Sequence, residues 1–426
     1  MKILWIVNKV CGDLHVELFG KPATGGLWLE ATLKSAKLDH EIEIAVVNVG
    51  GVSKTREFIA GNVTYYTIPG IANEHYDYAS AEAKGYWKEI INRVKPDLIE
   101  LWGTEFPYSI PALDIAKDIP VVVFVQGILD SIAKYYTAGL TDKDLSKALT
   151  IRDIFTKSSI RKVQEKYVKR SIYDNAIVTR SNNVIVENLW AEAYYRKICP
   201  ELRVFKCPIS ISTEFETAKW TSDKVHPHTL MCSAADYPIK GLHMLLKALA
   251  IVRETYPDVT LNIPGTPLRK LTNLKDKLKQ TGYEKFIRNQ IDEYNLNGVV
   301  KYIGRLTARE MAAKMAESNA FIMCSAIENH SSTLKEAMTV GVPCIASYVG
   351  GVPEYAFNER NCLLYRFEDY EVLALNIIRL FESKDLCEKL SMNARQDMKD
   401  SREKNDVYAI TKSIYQELIG HNEHIQ

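Results

Sequence analysis

The sequence predicts an α/β protein of two doubly wound, parallel-sheet domains, and three observations predict it. Short apolar runs at residues 3–7, 43–49, 63–68, 98–102 and 121–125 alternate with helical segments. Such alternation lays parallel strands under helices on both faces. The chain has 426 residues, enough for two separate cores. Residues 206–228 are proline- and polar-rich without periodicity and read as the linker between them. The expected domains are 1–208 and 209–399.

The run 3–7 leads through a polar loop to Gly25-Gly26 and the start of a helix at Leu27. Glycines between a first strand and first helix let backbone approach a phosphate, though the pair equally suits a plain loop. Two later strand ends are polar: Glu105 follows 98–102 and Gln126 follows 121–125. Open parallel sheets bind ligands at those ends. Residues 132–174 are helical in pattern and carry Lys157, Arg161, Lys162, Lys166, Lys169 and Arg170. That basic run at 157–170 reads as a solvated helix face, or as a face for anionic lipid headgroups or a charged acceptor. Residues 176–179 read as a strand with Arg180 at its carboxyl end, where it would bind a phosphate or pair with an acid.

In the second half, strand 229–233 precedes Lys240-Gly241 and a helix with Leu242, Leu245, Leu246 and Leu249 on one face. Strands follow at 259–263 and at 299–303, the latter ending in Gly304-Arg305, and a helix at 308–317 leads to residues 320–354. There a buried strand, Phe321 to Cys324, ends in the polar turn Glu328-Asn329-His330-Ser331. A helix from Ser332 follows, with Ser331 or Ser332 as its N-cap, and Gly341 and Pro343 stop it before a second buried strand. Amides at a helix start lack internal partners and attract phosphate. A carboxylate beside them, Glu328 or Glu336, is better suited to hydroxyls. Phosphate at the amides and hydroxyls at the carboxylates together describe a nucleotide sugar.

Net charge is +1, which argues against a nucleic-acid protein. The eight cysteines make no C-x-x-C pair and read as free thiols of a reducing cytoplasm. No run approaches a membrane span, and the apolar run at the N-terminus suits a first strand better than a signal peptide.

Glu328 and Glu336 in E-N-H-S-S-T-L-K-E-A-M, followed by G-V-P-C-I-A-S and G-G-V-P-E, resemble the E-x7-E motif of the family 4 glycosyltransferases. The resemblance implies the GT-B fold, with two Rossmann-like domains facing a cleft and a last helix, about 400–426, returning to the first domain. It implies a retaining transfer from a nucleotide-diphosphate sugar to a hydroxyl, with no cofactor and no essential metal. It assigns Glu328 and Lys240 to catalysis. Glu336 goes to the ribose, and His330, Ser331, Ser332, Thr333, Gly25, Gly26 and Arg305 to the rest of the donor. Gln126, Glu105 and Arg180 fall on the acceptor side. Gln126 stands where much of the family has histidine, and Ala235 where most relatives have an arginine, so one cation for the diphosphate is missing or supplied elsewhere, with Arg305 a candidate. The implied acceptor is a glycan or lipid-linked glycan, in cell-surface polysaccharide or glycolipid assembly. The implied location is the cytoplasm, or the inner face of the membrane through 157–170. The rival readings are an epimerase on the same fold and a non-catalytic nucleotide-sugar-binding protein.

Overall fold

The computed structural model describes residues 1–423 except 22, 24, 25, 74, 234, 270 and 272. Among the described residues two sheets form, one in each of two compact units. The first sheet holds β1 (Lys2–Val7), β2 (Glu43–Gly50), β3 (Arg56–Ala60), β4 (Val63–Pro69), β5 (Leu98–Trp102), β6 (Val121–Phe124), β7 (Asn183–Val186) and β8 (Arg203–Lys206). Its order is β3-β4-β2-β1-β5-β6-β7-β8, parallel throughout except for β3, which runs antiparallel to β4. The second sheet holds β9 (Thr229–Cys232), β10 (Thr260–Pro264), β11 (Val300–Gly304), β12 (Ala320–Met323), β13 (Cys344–Ser347) and β14 (Leu363–Tyr365), all parallel, in the order β11-β10-β9-β12-β13-β14.

Successive residues of a strand point to opposite faces, and β1 shows it. Leu4 and Ile6 pack with Trp87 and Ile90 on one side. Ile3, Trp5 and Val7 pack on the other with Leu33, Tyr415 and Leu418. Tyr415 and Leu418 belong to the last helix, Val407–Glu423, which joins the first unit. The Trp5 indole donates to the Tyr415 hydroxyl at 3.0 Å, and that hydroxyl donates to Glu100 in the middle of β5. Glu100 is fully buried, and burial pushes its carboxyl up to about 8.

Three expectations need correction. Residues 176–179 are not a strand. They continue the helix Ile160–Ser181, because Ile177 and Val178 point into the core from helical positions. The strand, β7, begins only after Asn182 turns the chain at φ 54°. The loop before Leu27 contains a helix, Gly12–Phe19.

The division at 208/209 is also too simple. The first unit comprises 1–130, 167–210 and 404–426, and the second 131–166 and 211–403. Residues 131–166 join the second unit through hydrogen bonds that sequence does not announce. The buried His243 takes the Ala138 carbonyl at 2.8 Å, and Lys285 donates to Leu149 at 3.0 Å. Trp220, inside the expected linker, is likewise buried and donates to the Ser318 carbonyl at 2.9 Å.

Candidate active site

The site in the second unit is built at the carboxyl ends of β9 and β12, which are neighbours in the sheet. The chain after β9 makes a turn at Pro238–Lys240 and enters the helix Leu242–Thr255 through Gly241 at φ 72°. Gly241 is required twice over. Its φ lies in the left-handed region, and a Cβ there would run into the Cys324 carbonyl oxygen just past β12. The Cys324 thiol meets the Lys240 carbonyl at 3.2 Å across the same seam.

This backbone contact brings Lys240 to Glu328. The ammonium lies 2.6 Å from Glu328 Oε1, and both side chains are mostly buried. Burial alone would depress the lysine, but the Glu328 charge outweighs it and holds the ammonium above its ordinary range. Ser325 donates to the same Oε1 at 2.5 Å. The helix Ser332–Val340 begins as expected. Ser331 is its N-cap and accepts from the Leu334 amide, which leaves the Ser332 and Thr333 amides without a partner among the described residues.

Glu336 is 8% exposed and makes no hydrogen bond among the described residues. Burial pushes its carboxyl up to about 7. His330 packs on the Tyr355 ring at 4.7 Å, with its Nδ1 3.4 Å from Lys335 Nζ. Arg305 stands exposed at the end of β11. Burial raises the Asp236 carboxyl, and the Arg305 charge partly opposes that shift.

In the first unit, Asn8, Glu105 and Gln126 follow β1, β5 and β6, which are adjacent strands. Asn8 donates to Glu105 at 3.1 Å, and burial raises the Glu105 carboxyl. A Cβ on Gly103, at φ 94°, would strike both the Glu105 carboxylate and Gln126, so these two side chains meet over that glycine. Beneath them lies Asp174, fully buried, which accepts from Tyr195 at 2.9 and 3.0 Å, from Thr104 and from the Leu129 amide. It thus ties the loop after β5 to the loop after β6, and burial pushes its carboxyl up to about 7.

Gly26 opens the helix Leu27–Ala36 at φ 77°, and Gly25 lies outside the described residues. Arg180 is placed differently from the expectation. It precedes β7, at the amino end of the strand, and its guanidinium pairs with Asp114 at 3.1 Å. Of the basic run, Arg161 pairs with Asp142, Lys162 pairs with Glu165, and Arg170 lies over the Phe106 ring. Sequence reasoning passed over Ser325 and Asp174. Asp174 had a signal, because it shares a helical stripe with the buried Ser171, Ile177 and Val178.

This architecture is the GT-B fold. Over 99% of both chains it matches sucrose-phosphate synthase from Thermosynechococcus elongatus, with a TM-score of 0.72 and 16% identity. Over 98% of this chain and 99% of the other it matches Anabaena HepE, solved in complex with UDP-glucose, at 0.65 and 17%. In the second unit, residues 214–397 match the model of the glycosyl transferases group 1. The MMP alpha-(1->4)-mannosyltransferase of Mycolicibacterium hassiacum is 27% identical over 219 residues, 50% of this chain and 48% of that protein. A D-inositol 3-phosphate glycosyltransferase from Pseudarthrobacter chlorophenolicus is 24% identical over 249 residues, 54% and 57%. The chain thus spans about half the length of the curated relatives it matches.

Proposed function

We propose that this chain is a retaining glycosyltransferase that moves a sugar from a nucleotide-diphosphate sugar to a hydroxyl acceptor, in polysaccharide or glycolipid assembly. One observation carries the reading: the ion pair of Lys240 and Glu328 stands before helix amides, with the carboxyl of Glu336 eight positions on, and neither the amides nor that carboxyl has a partner among the described residues. Breaking the anomeric bond moves negative charge onto the diphosphate and positive charge onto the sugar. The Lys240 ammonium and the Ser332 and Thr333 amides suit the first, and the Glu328 carboxylate suits the second. Glu336, buried without a donor, suits ribose hydroxyls. HepE, solved with UDP-glucose, lends support for this class of donor. In this reading Glu105 and Gln126 face the acceptor, and the reaction proceeds without an essential metal.

The test is single turnover with labelled UDP-, GDP- and ADP-sugars, chosen first by thermal shift, since a ligand of the folded state raises stability by mass action. A transferase releases nucleoside diphosphate. A binding protein returns the donor unchanged, and an epimerase returns a different sugar nucleotide; either result would replace this proposal.

A further inference from the structure

We infer that Ser325 is a positioning residue for Glu328: its buried hydroxyl anchors one carboxylate oxygen, so that the other is presented to the sugar. The inference rests on the glycosyl-transfer reading above. Ser325 stands just past β12 and is fully buried. Its hydroxyl donates to Glu328 Oε1 at 2.5 Å, the same oxygen that Lys240 meets at 2.6 Å. Glu328 Oε2 accepts from nothing among the described residues. A carboxylate has about four lone-pair sites, so two donors on one oxygen fix its plane and leave the second oxygen open.

Ser325 is itself held. Its carbonyl accepts from the Ser347 hydroxyl at 2.6 Å, at the end of the neighbouring strand β13. Its position is therefore set by the sheet, not by a flexible stem. Lys240 differs: its ammonium ends a four-carbon chain, and an incoming diphosphate competes for it. The Ser325 hydroxyl is neutral and enclosed, so a diphosphate does not draw it away. When Lys240 turns to the leaving group, Ser325 is the anchor that keeps Glu328 aligned.

The experiment measures acceptor-independent release of UDP from UDP-glucose by wild type, Ser325→Ala, Glu328→Gln and the double variant. Calorimetric donor affinity and melting temperature are recorded beside it. Ser325→Ala should lose at least about tenfold in turnover while donor affinity changes less than about threefold. In the Glu328→Gln background the same change should remove less than about twofold, since a residue acting through Glu328 has nothing left to position. Ser325→Cys keeps the volume with a weaker donor, so an intermediate loss is expected even where Ser325→Ala folds poorly. Independent, additive losses in the double variant, or full turnover in Ser325→Ala, overturn the inference alone. A wild type that leaves every UDP-, GDP- or ADP-sugar it binds intact even with glycan acceptors present overturns the glycosyl-transfer reading and this inference with it.

Discussion

The two units present the same structural edge, the carboxyl ends of parallel strands, with opposite chemistry. In the second unit the edge keeps charge: an ammonium on a carboxylate, beside amides without partners among the described residues. In the first, the edge holds carboxyls whose protons burial makes harder to lose, Glu105 and Asp174, and Asp174 is roofed over by hydroxyl and amide donors. A pair of opposite charges left together at a helix start suits a ligand that brings charge of its own. A network of buried, hydrogen-bonded carboxyls suits shaping a loop for a neutral, hydroxyl-rich ligand. The fold supplies the edge in both places, and the side chains decide which kind of ligand each suits.

The comparison is broken most sharply at Glu328. Glu328→Gln keeps size and most hydrogen bonds but removes charge, and turnover should fall at least about a hundredfold with donor affinity within about tenfold. Initial rates of nucleoside diphosphate release beside calorimetric affinity check this, and near wild-type turnover in the folded variant rejects the mechanism. Lys240→Ala comes next, with an expected loss of about ten- to a hundredfold in turnover and little effect on binding of a neutral nucleoside. An unchanged rate would pass the diphosphate role to Arg305.

A smaller, pH-dependent effect belongs to Glu336. Its carboxyl, raised to about 7, is protonated on the acid side of that value, whereas hydroxyls donate best to a carboxylate. Donor affinity should rise by about three- to tenfold from about pH 6 to about pH 8. Glu336→Gln should bind weakly with no such slope, and a slope that survives in the variant assigns it to another group.

The least effect on donor chemistry is expected at Asp174. An acid whose folded value is raised to about 7 keeps its proton longer when folded. Its contribution is therefore full at low pH and is lost as pH rises toward 7. Asp174→Asn resembles the protonated form, so its stability should fall less than wild type between about pH 4 and about pH 7, by up to about 1 kcal/mol per unit, with parallel slopes above that. UDP release should change less than about twofold. Urea melts across pH read the first, and parallel slopes for variant and wild type within that window would refute the assignment.

What sequence revealed follows the same divide. The helix Ser332–Val340, its Ser331 cap and its Gly341 stop were legible because they lie side by side, and each has a residue type that its backbone demands. The pairing of Glu328 with Lys240 was not legible, since it depends on a close approach of Gly241 to Cys324 across two strands. The first unit's edge draws Asn8, Glu105, Gln126 and Asp174 from four distant segments, and no spacing in the chain announces their meeting. Residues 176–179 misled because β-branched residues on the buried side of a helix resemble a short strand when read alone.

The hydrogen bond between Glu100 and Tyr415 joins residues 315 positions apart. As a chain leaves the ribosome, β5 emerges long before the helix that seals it, and the whole second unit is made in between. A buried acid and the Trp5 indole must wait for their hydroxyl until residue 415 has been made. The first unit is therefore expected to close after the second has been made, although it starts first. Nascent chains arrested before residue 404 should be cut by protease around β5, and chains released after residue 418 should resist; equal resistance in both would show that the first unit closes without its final helix.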